Sequence, residues 1–135
     1  MKLAIIRGTN LNQWEMQFYS KLRDYNITPT AIASTTNQFN LDNFEMPIIQ
    51  LDQFRKYNNI PFLSKGLGYL FCFNEGFINL KETLKHFDVI NTVETFNTFS
   101  NQAINSGKPV VVTSWETIPF NNERTRYKQF KNNVR

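Results

Sequence analysis

The sequence predicts an α/β fold: a Rossmann-like, doubly wound parallel sheet of about five strands in the order 3-2-1-4-5, with helices on both faces. Two segments favour this fold. Residues 87–120 read as strand, loop, helix, turn and strand, and this βαβ order builds parallel sheets that are covered on both sides. Residues 1–25 begin in the same way, with an apolar run, a glycine turn and a helix. At 135 residues, the whole chain (1–135) is expected to form one domain.

The helix in the second half of the chain is predicted from a single apolar face. We expect Thr95 to cap its start and Gly107 to take the left-handed turn that ends it, because a hydroxyl and a glycine are favoured at these positions. The flanking strands are predicted at residues 88–90 and 109–113. The apolar residues of the helix recur at i, i+3, i+7 and i+8: Phe96, Phe99, Ala103 and Ile104.

The first helix is expected to start at Asn12, which has capping-box spacing to Glu15. Its predicted buried face consists of Leu11, Trp14, Phe18, Leu22 and Tyr25. The remaining predicted elements are three strands and two helices: residues 3–6, 30–33 and 47–51, and residues 75–86 and 121–135.

A ligand site is predicted where the strand order reverses, between the first and fourth strands, because open α/β sheets bind ligands at such a point. The loop of Gly8, Thr9 and Asn10 follows the first strand, and Glu94 follows the fourth. A glycine turn before a helix can hold a phosphate on its backbone N–H groups. The full dinucleotide-binding fingerprint is absent, however, so the lone glycine leaves two interpretations open: a purely structural turn, or a phosphate-facing one.

Two carboxylates, Glu94 and Glu116, are predicted at the same sheet edge because each follows a central strand. Such a pair can do acid–base chemistry or hold sugar hydroxyls; alternatively, each caps a helix or meets a nearby lysine. His86 is the only histidine and is expected at the opposite edge, which argues against catalysis by a histidine-activated nucleophile. Cys72 is the only cysteine, so neither an internal disulfide nor a metal site is predicted.

The net charge and the residue composition indicate which classes of binding partner to expect. A formal net charge of +4 favours an anionic partner without selecting one. The basic segment 121–135 suits acidic lipid head groups, but it also suits a plain solvated helix. The aromatic residues follow core periodicity rather than alternating with basic residues, so nucleic-acid binding is not expected. One cysteine and no long apolar run favour a cytoplasmic location, with peripheral membrane contact as an open alternative.

Three stretches, IRGTNLNQWEMQFY, FDVINTVETFNTFSNQA and KPVVVTSWETIPF, resemble the amino-terminal domain of GT-B glycosyltransferases, specifically family 4, group 1. The resemblance spreads over the whole chain and is closest to members with Glu-Thr-Phe and Trp-Glu where most members carry histidine-containing motifs. It implies a Rossmann-like domain that binds the sugar acceptor. It also implies transfer from a nucleotide-sugar co-substrate, usually with retention and without a metal or other cofactor.

The resemblance also implies roles for individual residues. Glu94 would act catalytically by orienting or deprotonating the acceptor hydroxyl. The donor diphosphate would be faced by Gly8, Thr9 and Asn10. Further contacts with substrate are expected from Glu116, Trp115, Thr95 and Asn12.

Members of this family continue into a sixth strand and a second Rossmann domain, which binds the donor. This sequence stops before either, so we expect negligible transfer by the chain alone and a need for the missing domain or a partner chain. The implied ligands are a nucleotide-sugar donor and a glycan or lipid-linked acceptor. The alternative is a non-catalytic Rossmann-like binding module whose exposed sheet edge pairs with a second copy in a homodimer.

Overall fold

The computed structural model describes residues 1–42, 44–54, 76–94 and 97–114. Within these ranges the chain forms one sheet of five strands in the order β3-β2-β1-β4-β5, and every neighbouring pair is parallel. The predicted fold class and strand order are therefore confirmed. The strands are β1 Lys2–Gly8, β2 Thr28–Ser34, β3 Ile48–Leu51, β4 Val89–Val93 and β5 Val110–Thr113.

Helices cover both faces of the sheet, as predicted. They are α1 Gln13–Ser20, which continues as a 3₁₀ helix over Lys21–Tyr25, α2 Leu80–Leu84 and α3 Thr98–Ile104. The buried cluster under α1 consists of Leu3, Ile5, Leu11, Met16, Ala31, Ala33 and Met46. The cluster on the opposite face joins α2 and α3 to the sheet and includes Ala4, Ile6, Ile32, Leu80, Leu84, Ile90, Phe99 and Ala103.

Strand β1 lies at the centre of the sheet and is buried from Leu3 onward. Successive side chains of a strand point to opposite faces, so Leu3 and Ile5 join the α1 cluster, and Ala4 and Ile6 join the other. Because both faces are covered, the strand is a continuous apolar run rather than an alternating one. One short segment thereby anchors both helical layers.

The residues that start and end the helices agree with two of the three predictions. Asn12 is extended (φ −135°, ψ 156°), and its side-chain oxygen accepts from the Glu15 N–H at 3.0 Å. Gly107 takes the predicted left-handed conformation, with φ +80°. The third prediction is wrong, since the N-cap of α3 is Asn97 and not Thr95, which lies outside the described residues. The Asn97 side chain donates to the carbonyl of Val93 at 3.1 Å, which ties this start to the end of β4.

The predicted buried face of α1 is confirmed at Leu11, which is buried, and at Leu22, which packs against the same cluster, but it is wrong at Trp14, Phe18 and Tyr25. Trp14 and Phe18 are 71% and 74% exposed, whereas Met16 is buried. Trp14 instead packs edge-on against Phe39, with 6.2 Å between the ring centroids. The error arises at Leu11, which precedes the N-cap and therefore does not share the helical phase of the residues that follow.

The predicted helix at 75–86 is much shorter than expected, since in its described part only Leu80–Leu84 is helical. Asn79 has a left-handed backbone (φ +61°), which stops the helix from extending toward its amino end. The backbone of Phe77 is held by the Gln102 side chain of α3, which accepts from its N–H and donates to its carbonyl, each at 2.8 Å. This long-range contact overrides the local helical spacing.

Two further predictions fall on other parts of the chain. Cys72 and the basic helix predicted at 121–135 lie outside the described residues. Among the helices that the structure describes, none has the length and apolar character needed to cross a membrane.

Alanine at each of two glycines should separate backbone strain from steric overlap. A Cβ at Gly107 would meet nothing within 4 Å, so we expect Gly107→Ala to lower the free energy of unfolding by only about 1–2 kcal/mol, from its positive φ. A Cβ at Gly8 (φ +61°) would lie 2.9 Å from Cε1 of the buried Phe99 ring, so Gly8→Ala should lose about 2–5 kcal/mol. Urea denaturation measures both, and equal losses would contradict the close packing at Gly8.

Candidate functional site

A cavity of about 230 Å³ opens at the carboxyl edge of the sheet, where β1 and β4 end. Gly8, Thr9 and Asn10 line it from the β1 side, and Glu94 lines it from the β4 side. The structure thus brings the predicted glycine turn and the predicted carboxylate to the same rim. This is also the point at which the strand order reverses, where ligand sites of open α/β sheets lie.

The glycine turn is held from both sides. Gly8 lies against the Phe99 ring, so the loop and α3 are in direct contact. The N–H of Asn10 donates to the carbonyl of Arg7 at 3.1 Å and closes the turn. The N–H of Leu11 is also bonded, to Oδ1 of Asn37 at 3.0 Å. These two amides therefore hold the loop in shape rather than pointing free donors at a ligand.

Asn12 has a structural role at the start of α1. It is buried, its Oδ1 accepts from the Glu15 N–H, and its Nδ2 donates to the carbonyl of Asn10 at 3.2 Å. Both ends of the amide are therefore bonded, and Asn12 is not among the described residues that line the cavity. Its contact with substrate stays a prediction.

Glu94 follows β4 directly and has a left-handed backbone, with φ +56°. Its N–H donates to the carbonyl of Thr113 at 2.9 Å, and its Oε2 accepts from the Ser114 hydroxyl at 3.3 Å. A non-glycine residue in this conformation is strained by roughly 1–2 kcal/mol, and such strain collects at functional sites. The position therefore carries a carboxylate where glycine would be the more stable residue.

The residue that the sequence-based predictions missed is Arg7. It also lines the cavity, although only 4% of its surface is exposed. Nη1 donates to the carbonyl of Ile6 at 3.0 Å, and Nη2 donates to the Tyr19 hydroxyl at 2.9 Å and to Oδ1 of Asn91 at 3.0 Å. The signal was in the sequence, since an arginine directly continues the apolar run of the central strand. A charge buried in a strand requires partners, and one of them, Asn91, lies 84 residues away along the chain.

A polar network extends from Arg7 beneath the cavity. The Tyr19 hydroxyl donates to the same Oδ1 of Asn91, at 3.0 Å. The Nδ2 of Asn91 donates to Oγ1 of Thr113 at 3.3 Å and lies 3.4 Å from the carbonyl of Val111. The network therefore joins β1, α1, β4 and β5 through one amide side chain.

One nitrogen of the buried guanidinium lacks a hydrogen bond. Among the described residues, Nε of Arg7 has no acceptor within bonding distance. Its nearest anion is Oε2 of Glu15, at 3.7 Å. Burial lowers the pKa of Arg7 from its ordinary value, and Tyr19 and Glu15 oppose that change. An arginine nevertheless stays charged at neutral pH because its ordinary pKa is so high.

Three of the predicted site residues, Glu116, Trp115 and Thr95, lie outside the described residues, so the pairing of Glu94 with Glu116 stays a prediction. In the described ranges, no three side chains of histidine, cysteine, aspartate or glutamate come together as a metal site.

Replacing Glu94 with glycine should stabilise the fold. We expect Glu94→Gly to raise the free energy of unfolding by about 0.5–1 kcal/mol, because glycine adopts a positive φ without a steric penalty. The matched control is Asn26→Gly, at φ +58°, where the gain should be smaller because asparagine tolerates this conformation. Chemical denaturation measures both variants. A loss of stability in Glu94→Gly would show that the side chain, not the strain, dominates at this position.

Removing the shared amide should destabilise the network. Asn91→Ala takes away the Oδ1 that accepts from both Arg7 and Tyr19, and it leaves a buried cation with fewer partners. We expect a loss of about 2–4 kcal/mol in the free energy of unfolding. Asn105→Ala, at an exposed position on the end of α3, should change it by less than about 0.5 kcal/mol. Similar losses in the two variants, measured by urea denaturation, would rule out a stabilising network.

Comparisons of the chain with protein-family models, with curated proteins and with solved structures found no match. The glycosyltransferase resemblance therefore stays a prediction. A function can be proposed from the cavity, its strained carboxylate and its buried arginine.

Proposed function

We propose that the chain is the acceptor-side domain of a GT-B glycosyltransferase of family 4, group 1, which transfers a sugar from a nucleotide-sugar donor to an acceptor hydroxyl with retention and without a metal. Two lines of support meet in this proposal. The first is the resemblance of three sequence stretches to that family. The second, which carries the proposal, is that the loop 8–10 and Glu94 line a single cavity at the switch point of the sheet.

In this proposal, Glu94 orients or deprotonates the acceptor hydroxyl. Its carboxylate accepts a hydrogen bond from the Ser114 hydroxyl. The hydrogen bond from its backbone N–H to the carbonyl of Thr113 positions Glu94 at the end of β4. A carboxylate can remove a proton from a hydroxyl group only within hydrogen-bond reach of it. The acceptor hydroxyl is accordingly assigned to the β4 side of the cavity, and the donor diphosphate to the side of Gly8, Thr9 and Asn10.

The size of the cavity supports a site that a second surface completes. Pockets that bury a whole small ligand are typically about 300–1,000 Å³, and this one is about 230 Å³. A second Rossmann-like domain, in the same protein or in a partner chain, closes the cleft, holds the nucleotide sugar and excludes water from the reacting centre. The other predicted contacts, Glu116, Trp115, Thr95 and Asn12, belong to the same proposal.

The proposal includes a glycan or a lipid-linked acceptor. Either would be met in the cytoplasm, with peripheral contact to the membrane where the acceptor is lipid-linked.

Sugar transfer can be tested by combining the chain with a donor-binding Rossmann domain, covalently or in trans, and supplying radiolabelled nucleotide sugars with glycan and lipid acceptors. We expect transfer, and we expect Glu94→Gln to lower kcat about 10²- to 10⁴-fold by removing the base. The control is Glu82→Gln, since Glu82 is exposed on α2, pairs with Lys85 at 2.6 Å and should not affect turnover.

Wild-type turnover in Glu94→Gln would remove Glu94 from the mechanism. Failure to transfer any sugar in the combined protein would contradict the proposal and favour the non-catalytic binding module.

A further inference from the structure

A buried cation with an unbonded donor lies at one end of the cavity. Taking a guanidinium out of water costs several kcal/mol unless its N–H groups are bonded. Two nitrogens of Arg7 are bonded to Ile6, Tyr19 and Asn91, but Nε has no acceptor among the described residues. Nε therefore has a hydrogen that another acceptor can bond.

The nearest anion, Glu15, is close enough to attract Nε but too far to bond it. The 3.7 Å between Oε2 and Nε exceeds the range of an N–H···O hydrogen bond, which is about 2.7–3.2 Å. The Glu15 side chain is 37% exposed, so it can leave toward solvent. It also lies in the first turn of α1, where the helix dipole favours negative charge. An anion at this place would be attracted by both the guanidinium and the eight-residue helix.

Two backbone N–H groups at the glycine loop, which the sequence would assign to an anion, are already hydrogen-bonded within the chain. The amide of Asn10 is bonded to Arg7 and that of Leu11 to Asn37. Nε of Arg7, next to this loop, is a buried nitrogen without a partner among the described residues, and its charge makes its hydrogen bond to an oxyanion stronger than that of a neutral amide.

We propose that Arg7 binds an anionic group of the ligand, a phosphate or a carboxylate, through Nε, and that Glu15 is an internal counter-ion that the ligand displaces. The inference rests on the proposed function in that it uses the same cavity. It adds that the part of the ligand on the β1 side of this cavity carries a phosphate or a carboxylate. It requires only binding, not transfer. The displaced Glu15 carboxylate turns into solvent, and the ligand oxygen takes the place beside Nε.

The test is titration of the 135-residue chain with inorganic pyrophosphate and, separately, with glucuronate, followed by calorimetry and by the ¹H–¹⁵N NMR signal of the Arg7 Nε–H. At saturation we expect that signal to shift, and we expect added salt to weaken binding. Tighter binding of pyrophosphate assigns a phosphate group, and tighter binding of glucuronate assigns the carboxylate of an acidic sugar; both support the inference.

The decisive variant is Glu15→Gln, because it removes the competing carboxylate while glutamine remains suited to its place in the capping box. We expect it to tighten binding of the preferred anion about 5- to 10-fold. The control Glu82→Gln, on the exposed part of α2, should leave the affinity unchanged. Arg7→Gln should weaken binding at least about 10-fold, with circular dichroism checking the fold; where this variant does not fold, the Glu15 comparison decides.

An unchanged affinity in Glu15→Gln, or the absence of binding to both anions, would overturn the inference. Anion binding with the Glu15 effect but no sugar transfer in the combined protein would contradict only the proposed function. Transfer without the Glu15 effect would contradict only the anion-binding role of Arg7.

Discussion

A buried guanidinium at the end of the central strand holds this edge of the sheet together. Arg7 reaches α1 through Tyr19 and β4 through Asn91, so one cation relates a helix and two strands. The register of β1 and β4 pairs Ile5 with Asn91, which brings the amide within reach of the arginine two residues farther along. A buried charge without partners lowers the stability of the folded state. The fold therefore requires Tyr19 and Asn91 to lie where they can bond Arg7.

The cavity rim collects features that lower stability. Glu94 has a backbone conformation that favours glycine, Gly8 leaves no room for a side chain, and the buried Nε of Arg7 has no hydrogen-bond partner among the residues that the structure describes. The apolar layers on the two faces of β1 provide the compensating stability. Backbone strain persists only where the surrounding packing holds the strained residue in place. A tightly packed sheet with strained residues at its cavity rim is therefore the arrangement expected where a ligand is bound.

The topology could be predicted because its signals are local: short apolar runs separated by turn residues such as Gly8 and Gly107. The place of Glu94 followed from the same reasoning, since the carboxyl ends of parallel strands share one edge. The errors are non-local. Gln102 shortens a helix by binding Phe77, 25 residues away, and the importance of Arg7 depends on Asn91, 84 residues away. No single window of the sequence contains both partners, so periodicity could not reveal either contact.

The amide of Asn91 combines two opposite hydrogen-bonding roles at the junction of β4 and β5. Its oxygen accepts from a cation and a phenol, while its nitrogen donates toward Thr113. Aspartate would neutralise the cation but has no hydrogen to give to the neighbouring strand, and leucine of similar volume could do neither. The same amide therefore binds the arginine and helps attach β5 to β4. A substitution at Asn91 that changed the charge next to the cavity would also remove a hydrogen bond to the outer strand.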